Sequence, residues 1–158
     1  GPRRFPFPAL FSGVPDMTYG PARALPGDQI KITTNPDTEP FWEAAKEHKL
    51  TACQCGACGK FRMPPTPVCP ECGSREKNWP TLPGMATVFS YVVCNKNPKN
   101  GEDYVYVPVV VDLNGAPGAR LNANVSGCDA DDVYIGMKVT VDWTPIQDGW
   151  VLPNFKKA

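Results

Sequence analysis

Histidine is all but missing from this 158-residue chain, with His48 the single example. A mechanism that needs an imidazole base beside a nucleophile has this one candidate, and its place at the end of a short helix favours a plain surface role. Net charge is missing too, because 16 Lys plus Arg balance 16 Asp plus Glu. The balance holds by region, with four basic and two acidic side chains in 1–34, six and six in 35–80, and six and eight in 81–158. Nucleic-acid binders usually carry a basic footprint, so no nucleic-acid partner is expected. No apolar run approaches the roughly 18 residues of a membrane helix, and no membrane partner is expected either. The first residues do not read as a signal-peptide core, since prolines interrupt Phe5-Pro6-Phe7-Pro8-Ala9-Leu10-Phe11. There is no Gly-x-Gly-x-x-Gly dinucleotide loop, no phosphate loop with Gly-Lys-Ser/Thr and no Gly-x-Ser-x-Gly elbow. The acidic pair Asp131-Asp132 follows a turn and reads as a solvated loop. Catalysis would have to come from another chain.

Apolar residues are plentiful at 42%, against 20% charged, which is enough for a globular core. Cysteine is the informative residue. Seven is an odd number, and four of the seven form Cys55-Gly56-Ala57-Cys58 and Cys69-Pro70-Glu71-Cys72, with ten residues between the two units. A metal site in a reducing cytoplasm explains this better than a disulfide framework. Two residues between ligands allow each pair to form a tight knuckle whose backbone amides face the sulfurs, and Gly59 and Gly73 supply the backbone freedom such turns need. The expected ligands of a structural Zn²⁺ are therefore Cys55, Cys58, Cys69 and Cys72, a set with no open coordination position. Iron is the rival, because rubredoxin uses similar Cys-Pro-x-Cys-Gly knuckles for electron transfer. Zinc is favoured because no other redox feature accompanies them. Cys53 reads as a bystander on the strand entering the ribbon, and Cys94 and Cys128 as buried inert thiols.

Residues 1–36 hold seven of the nineteen prolines, at positions 2, 6, 8, 15, 21, 26 and 36, and read as an extended arm. The arm either lies on another surface or is a mobile tail. Its Phe5 and Phe7 favour docking on a partner. Residues 37–80 hold a short helix and the cysteine module. Thr38 can cap the helix, Glu39 suits its positive end and Pro40 is tolerated in its first turn, which predicts a helix near 39–48. Phe41 and Trp42 either anchor that helix to its own domain or plug a groove on a partner, and the sequence leaves both readings open. Residues 81–158 turn β-rich, with expected strands over 85–95, 104–113, 119–125, 137–143 and 150–155 separated by turn chemistry such as Asn114-Gly115-Ala116-Pro117-Gly118. Five strands suit a small OB-type barrel, and a small sandwich fits the same count. On the second strand Val105, Val107, Val109, Val111 and Leu113 share a core face, while Tyr104 and Tyr106 point the other way, with Phe89 or Tyr91 beside them. Outward aromatics serve base stacking or a protein interface, and the missing basic charge favours the interface.

Several stretches together carry a resemblance to a family: Glu39-Pro40-Phe41-Trp42-Glu43-Ala44-Ala45, Cys55-Gly56-Ala57-Cys58-Gly59-Lys60, Pro64-Pro65, Cys69-Pro70-Glu71-Cys72-Gly73-Ser74, Asn124-Val125-Ser126-Gly127-Cys128-Asp129, Ile135-Gly136-Met137-Lys138-Val139 and Leu152-Pro153-Asn154-Phe155. From about residue 40 to the C-terminus the chain resembles the zinc-ribbon plus OB-fold proteins that accompany acyl-CoA enzymes of the thiolase superfamily. The resemblance implies a mainly β chain with a rubredoxin-like zinc ribbon and a five-stranded OB barrel. It also implies an accessory, non-catalytic subunit. Its thiolase-like partner would supply the nucleophilic cysteine and the histidines, with acyl-CoA or CoA near the shared interface, and Phe41 and Trp42 would be docking anchors. The expected reaction class is cleavage or formation of a bulky β-keto acyl-CoA, of the aromatic or steroid side-chain type. A single-stranded nucleic-acid binder and a rubredoxin-like electron carrier are the alternatives.

Overall fold

Around Asn35–Glu39 the backbone turns into a helix without the cap the sequence predicts. In the computed structural model of the protein, which describes residues 19–158, Thr38 occupies the N-cap position but makes no capping side-chain bond. The Asn35 side chain does the local work instead, its Oδ1 accepting from the amides of Asp37 (2.9 Å) and Thr38 (3.0 Å). Helix α1 runs Glu39–Lys46, with Pro40 in its first turn. It stops two residues short of the expected end because His48 adopts φ 61, closing the helix in a left-handed turn. Lys49 then donates to the carbonyl of Ala44 at 3.0 Å.

Three short strands follow. β1 (Cys53–Cys55) lies between β2 (Phe61–Arg62) and β3 (Lys77–Asn78), all antiparallel. The rest of the chain builds a second sheet from β4 (Met85–Tyr91), β5 (Cys94–Lys96), β6 (Asp103–Leu113), β7 (Arg120–Val125), β8 (Lys138–Pro145) and β9 (Val151–Lys157). Its order is β4-β8-β9-β7-β6, and β6 pairs back with β4. That pairing closes the sheet on itself, so the architecture is a five-stranded OB barrel and not a sandwich of two open sheets. The parallel contact of β7 with β9, Val125 beside Phe155, completes the OB strand order.

The strand expected over 85–95 is two strands. The register shifts between Val88 and Ser90, which turns Phe89 outward. The chain then leaves the sheet at Val92, 58% exposed. β5 forms a hairpin with β6 outside the closed ring. On β6 the predicted alternation holds for Val107, Val109, Val111 and Leu113, all buried, whereas Val105 is only partly buried near the barrel end.

One apolar cluster joins both halves. Phe41, Leu50, Ala52 and Leu82 pack with Val88, Val107, Val111, Val125, Met137, Val139 and Phe155. Helix α1 lies against β9, where Lys46 Nζ sits 4.1 Å from the centre of the Trp150 ring. His48 is exposed and stacks on Trp143, with 5.7 Å between ring centres. Gly84, at φ +90, leads into β4 so close to Val141 that a Cβ there would meet its Cγ1 at 3.0 Å.

The described part of the proline-rich arm lies on the chain's own barrel. Ala22 donates to the carbonyl of Cys128 (2.8 Å), Arg23 to that of Val105 (2.9 Å), and Gln147 Nε2 to that of Ile30 (2.6 Å). Phe5 and Phe7 lie outside the described residues.

Candidate metal centre and surrounding surfaces

The two knuckles fold as their spacing predicts. After Cys55 the chain turns sharply, so that the amides of Ala57 and Cys58 both point at the Cys55 sulfur, each at 3.4 Å. Gly59 and Gly73 end the knuckles at φ 79 and 76, and their amides close back on the carbonyls of Cys55 (3.1 Å) and Cys69 (2.8 Å). Each glycine thus sits where an L side chain would strain the backbone.

The four sulfurs of Cys55, Cys58, Cys69 and Cys72 lie within 4.8 Å of one another. Cys55 and Cys72 Sγ are 3.5 Å apart, and Cys58 and Cys69 Sγ are 3.7 Å apart. A tetrahedral ion with bonds of about 2.3 Å to sulfur requires edges of roughly 3.8 Å, so the cage has the size of a zinc–tetrathiolate site. Its electrostatics point the same way. Amides of Cys58 and Ala57 hold the Cys55 thiol down at about 6, and amides of Cys72 and Glu71 lower Cys69 likewise. Cys72 is pushed up to about 12: the Ser74 amide pulls it down, but the neighbouring thiols and burial outweigh that pull. Four sulfurs this close cannot all ionise without a cation among them. Zinc held here by Cys55, Cys58, Cys69 and Cys72 would cross-link two loops, and with all four positions filled by protein it would leave none for substrate.

Cys53 is buried on β1, and among the described residues the four-sulfur cluster does not include it. Burial raises its thiol, with the charges of Arg62 and Lys77 opposing. Cys94 and Cys128 are not buried as predicted; both are half-buried. Burial also raises Cys128, helped by Asp132 and Asp129.

The structure separates the predicted contact residues. Phe41, 4% exposed, is committed to the chain's own core, while Trp42, edge-on to it at 5.1 Å between ring centres, remains half-buried. Tyr104 and Tyr106 sit side by side, 6.5 Å between ring centres. Their outward face is partly used by the arm: the Tyr104 hydroxyl donates to the carbonyl of Ala24, and the Arg23 guanidinium lies 5.5 Å from the Tyr104 ring centre. Tyr19, Pro21, Arg23, Asn95, Asp103 and Tyr104 line a depression of about 390 Å³ there. Another apolar surface lies on the barrel, where Phe89 and Ile135, 45% and 67% exposed, flank the bond from the Gly136 amide to the Val88 carbonyl (2.8 Å). Arg120 covers part of the Phe89 ring at 3.7 Å.

Sequence reasoning missed Arg62. Its backbone partner is Cys53, its side chain is buried, and Nε and Nη2 both donate to the Thr66 carbonyl, at 3.2 and 2.9 Å. The available signal was its place opposite a cysteine once the β1–β2 hairpin is drawn.

Residues 42–78 match the family described as ChsH2, rubredoxin-like zinc ribbon domain, and residues 79–144 match ChsH2, C-terminal OB-fold domain. A probable enoyl-CoA hydratase alpha subunit of Thermomonospora curvata is 38% identical over 119 residues, which is 75% of this chain and 37% of that protein. This chain therefore spans well under half of that relative's length. A DUF35 domain-containing scaffold protein of Methanocaldococcus jannaschii is 32% identical over 110 residues, covering 68% of this chain and 77% of the relative. Among solved structures, one described as Ltp2-ChsH2(DUF35) aldolase superposes with a TM-score of 0.73 at 34% identity, over 80% of this chain and 98% of that one. With a four-sulfur ribbon, an OB barrel and both family matches in succession, this chain belongs to the ChsH2 (DUF35) family of zinc-ribbon and OB-fold proteins.

Proposed function

We propose that this chain is a non-catalytic subunit of a hetero-oligomeric enzyme acting on CoA thioesters. It holds a thiolase-like catalytic subunit and shapes the entrance for acyl-CoA. The observation that carries this reading is the match, over 98% of its length, to the ChsH2 chain of a solved Ltp2–ChsH2 aldolase. The kinship with a hydratase alpha subunit and with a scaffold protein supports it. So does the chemistry: the metal cage is closed, and the lone His48 is spent in stacking on Trp143. The catalytic groups then belong to the partner. The reaction forms, cleaves or hydrates a bulky acyl-CoA of the aromatic or steroid side-chain type, with aldolase or hydratase chemistry beside thiolase-type acyl transfer. Trp42, Tyr104 and Tyr106, with Phe5 and Phe7 of the arm, are the partner contacts in this reading. Seven free cysteines fit a reducing cytoplasm. Formal neutrality speaks against a nucleic-acid partner.

Native mass spectrometry of the chain isolated gently from its own cells tests the proposal. The expected result is a complex with a thiolase-sized subunit and one zinc per copy of this chain. A bare monomer, a nucleic-acid complex or a red, iron-loaded protein would overturn it.

A further inference from the structure

Four thiolates around one divalent cation leave two negative charges uncompensated. Water reaches the exposed Cys58 and Cys72, but Cys55 and Cys69 are buried, so that side of the site needs positive charge from the protein. The ribbon sheet places two cations next to β1. Lys77 lies opposite Cys55, but its ammonium is already paired with Asp37 at 2.9 Å. Arg62 lies opposite Cys53. Residues opposed in an antiparallel pair point to one face, as do residues two apart on a strand, so Arg62, Cys53 and Cys55 share a face of the sheet. Arg62 is 8% exposed and no carboxylate among the described residues pairs with it. Its Nη1 is buried without a hydrogen-bond partner. A permanently charged guanidinium buried in this way is costly unless something nearby is negative. Its other two donors hold the Thr66 carbonyl, in the loop that separates the two knuckles.

We propose that Arg62 is the buried counter-cation of the four-thiolate metal site. The charge lowers the electrostatic cost of gathering four thiolates. Replacement of residues behind metal ligands commonly weakens metal binding by about 10–100-fold.

Two variants of the full zinc-loaded chain separate charge from tether. Arg62→Gln keeps an N–H donor for Thr66 and drops the charge, whereas Arg62→Lys keeps the charge and drops the fork. With a chromophoric chelator in excess, Arg62→Gln is expected to release zinc about tenfold faster or more, and Arg62→Lys within about threefold of the parent. In cobalt-loaded protein, loss of a nearby cation raises the energy of the sulfur electrons. The thiolate-to-cobalt band therefore moves to longer wavelength in Arg62→Gln and stays in place in Arg62→Lys. Parent-like zinc retention in Arg62→Gln, or equal release with unshifted bands in both variants, overturns the assignment. If Arg62→Gln fails to take up metal, Arg62→Lys decides: parent-like loading supports the role of charge, and failure to load overturns it.

Discussion

Strands of six to eleven residues close the barrel, and they bury Val107, Val109, Val111 and Leu113 against Val125, Met137, Val139 and Phe155. In the ribbon the strands have two or three residues, and between positions 53 and 78 the buried side chains are Cys53, Cys55, Arg62 and Cys69. The barrel thus draws on apolar area removed from water, which is non-directional and spread over many contacts. The ribbon has too little of that area, and its cohesion is concentrated in four sulfur ligands. Two neighbouring regions of one chain should therefore fail under different insults, although Phe61 and Met63 of the ribbon rest on the shared core.

The largest effect should follow metal loss. Structural zinc contributes roughly 10–16 kcal/mol in small fingers, far more than any side chain of the ribbon can replace. Chelation, or Cys69→Ser, is expected to abolish amide protection in β1 to β3 while β6 keeps most of its own. Hydrogen exchange followed by mass spectrometry reads both regions in one sample. Equal loss of protection in β6 would show that the two regions form one cooperative unit.

The opposite insult is a cavity in the barrel. Phe155 is fully buried where β7 and β9 run parallel, and Phe155→Ala should cost about 3–5 kcal/mol in urea unfolding. The zinc-loaded variant should nevertheless retain its metal against a chelator at close to the parent rate at 25 °C. Rapid zinc loss from a barrel mutant would break the proposed division.

The same contrast explains what could be read in advance. The metal cage was legible because ligand spacing is a local property: Cys55, Cys58, Cys69 and Cys72 need two tight turns and one loop. Alternation on β6 and the turn residues around it exposed the barrel strands for a similar reason. Non-local facts were not legible. Nothing local distinguishes a closed ring from a sandwich; the β4–β6 and β7–β9 pairings do. The shift near Phe89 interrupted an apparently continuous strand, because an extra residue changes the facing of its neighbours without changing composition. Thr38 was the expected cap by position, yet Asn35, the stronger capping residue by type, takes the free amides. Phe41 could have faced either way, and burial decided it. The arm's contacts join Ala22 to Cys128 and Ile30 to Gln147, pairings across the whole chain that no periodicity announces.

The smallest expected effect concerns charge at the ribbon's edge. Lys77 and Asp37 meet at 2.9 Å with side chains 21% and 29% exposed, linking β3 to the turn before α1. Ion pairs still reached by water contribute up to about 1 kcal/mol, because solvent screens the attraction and ordering two side chains opposes it. Asp37→Ala should lower stability by no more than that in urea titration. It also frees the Lys77 ammonium on the strand beside Cys55, which adds positive charge near the thiolates, so zinc release should be no faster than in the parent. A loss rivalling that of Phe155→Ala would mean that the ribbon is held substantially by its ion pair, and the contrast between a metal-held ribbon and an apolar barrel would have to be redrawn.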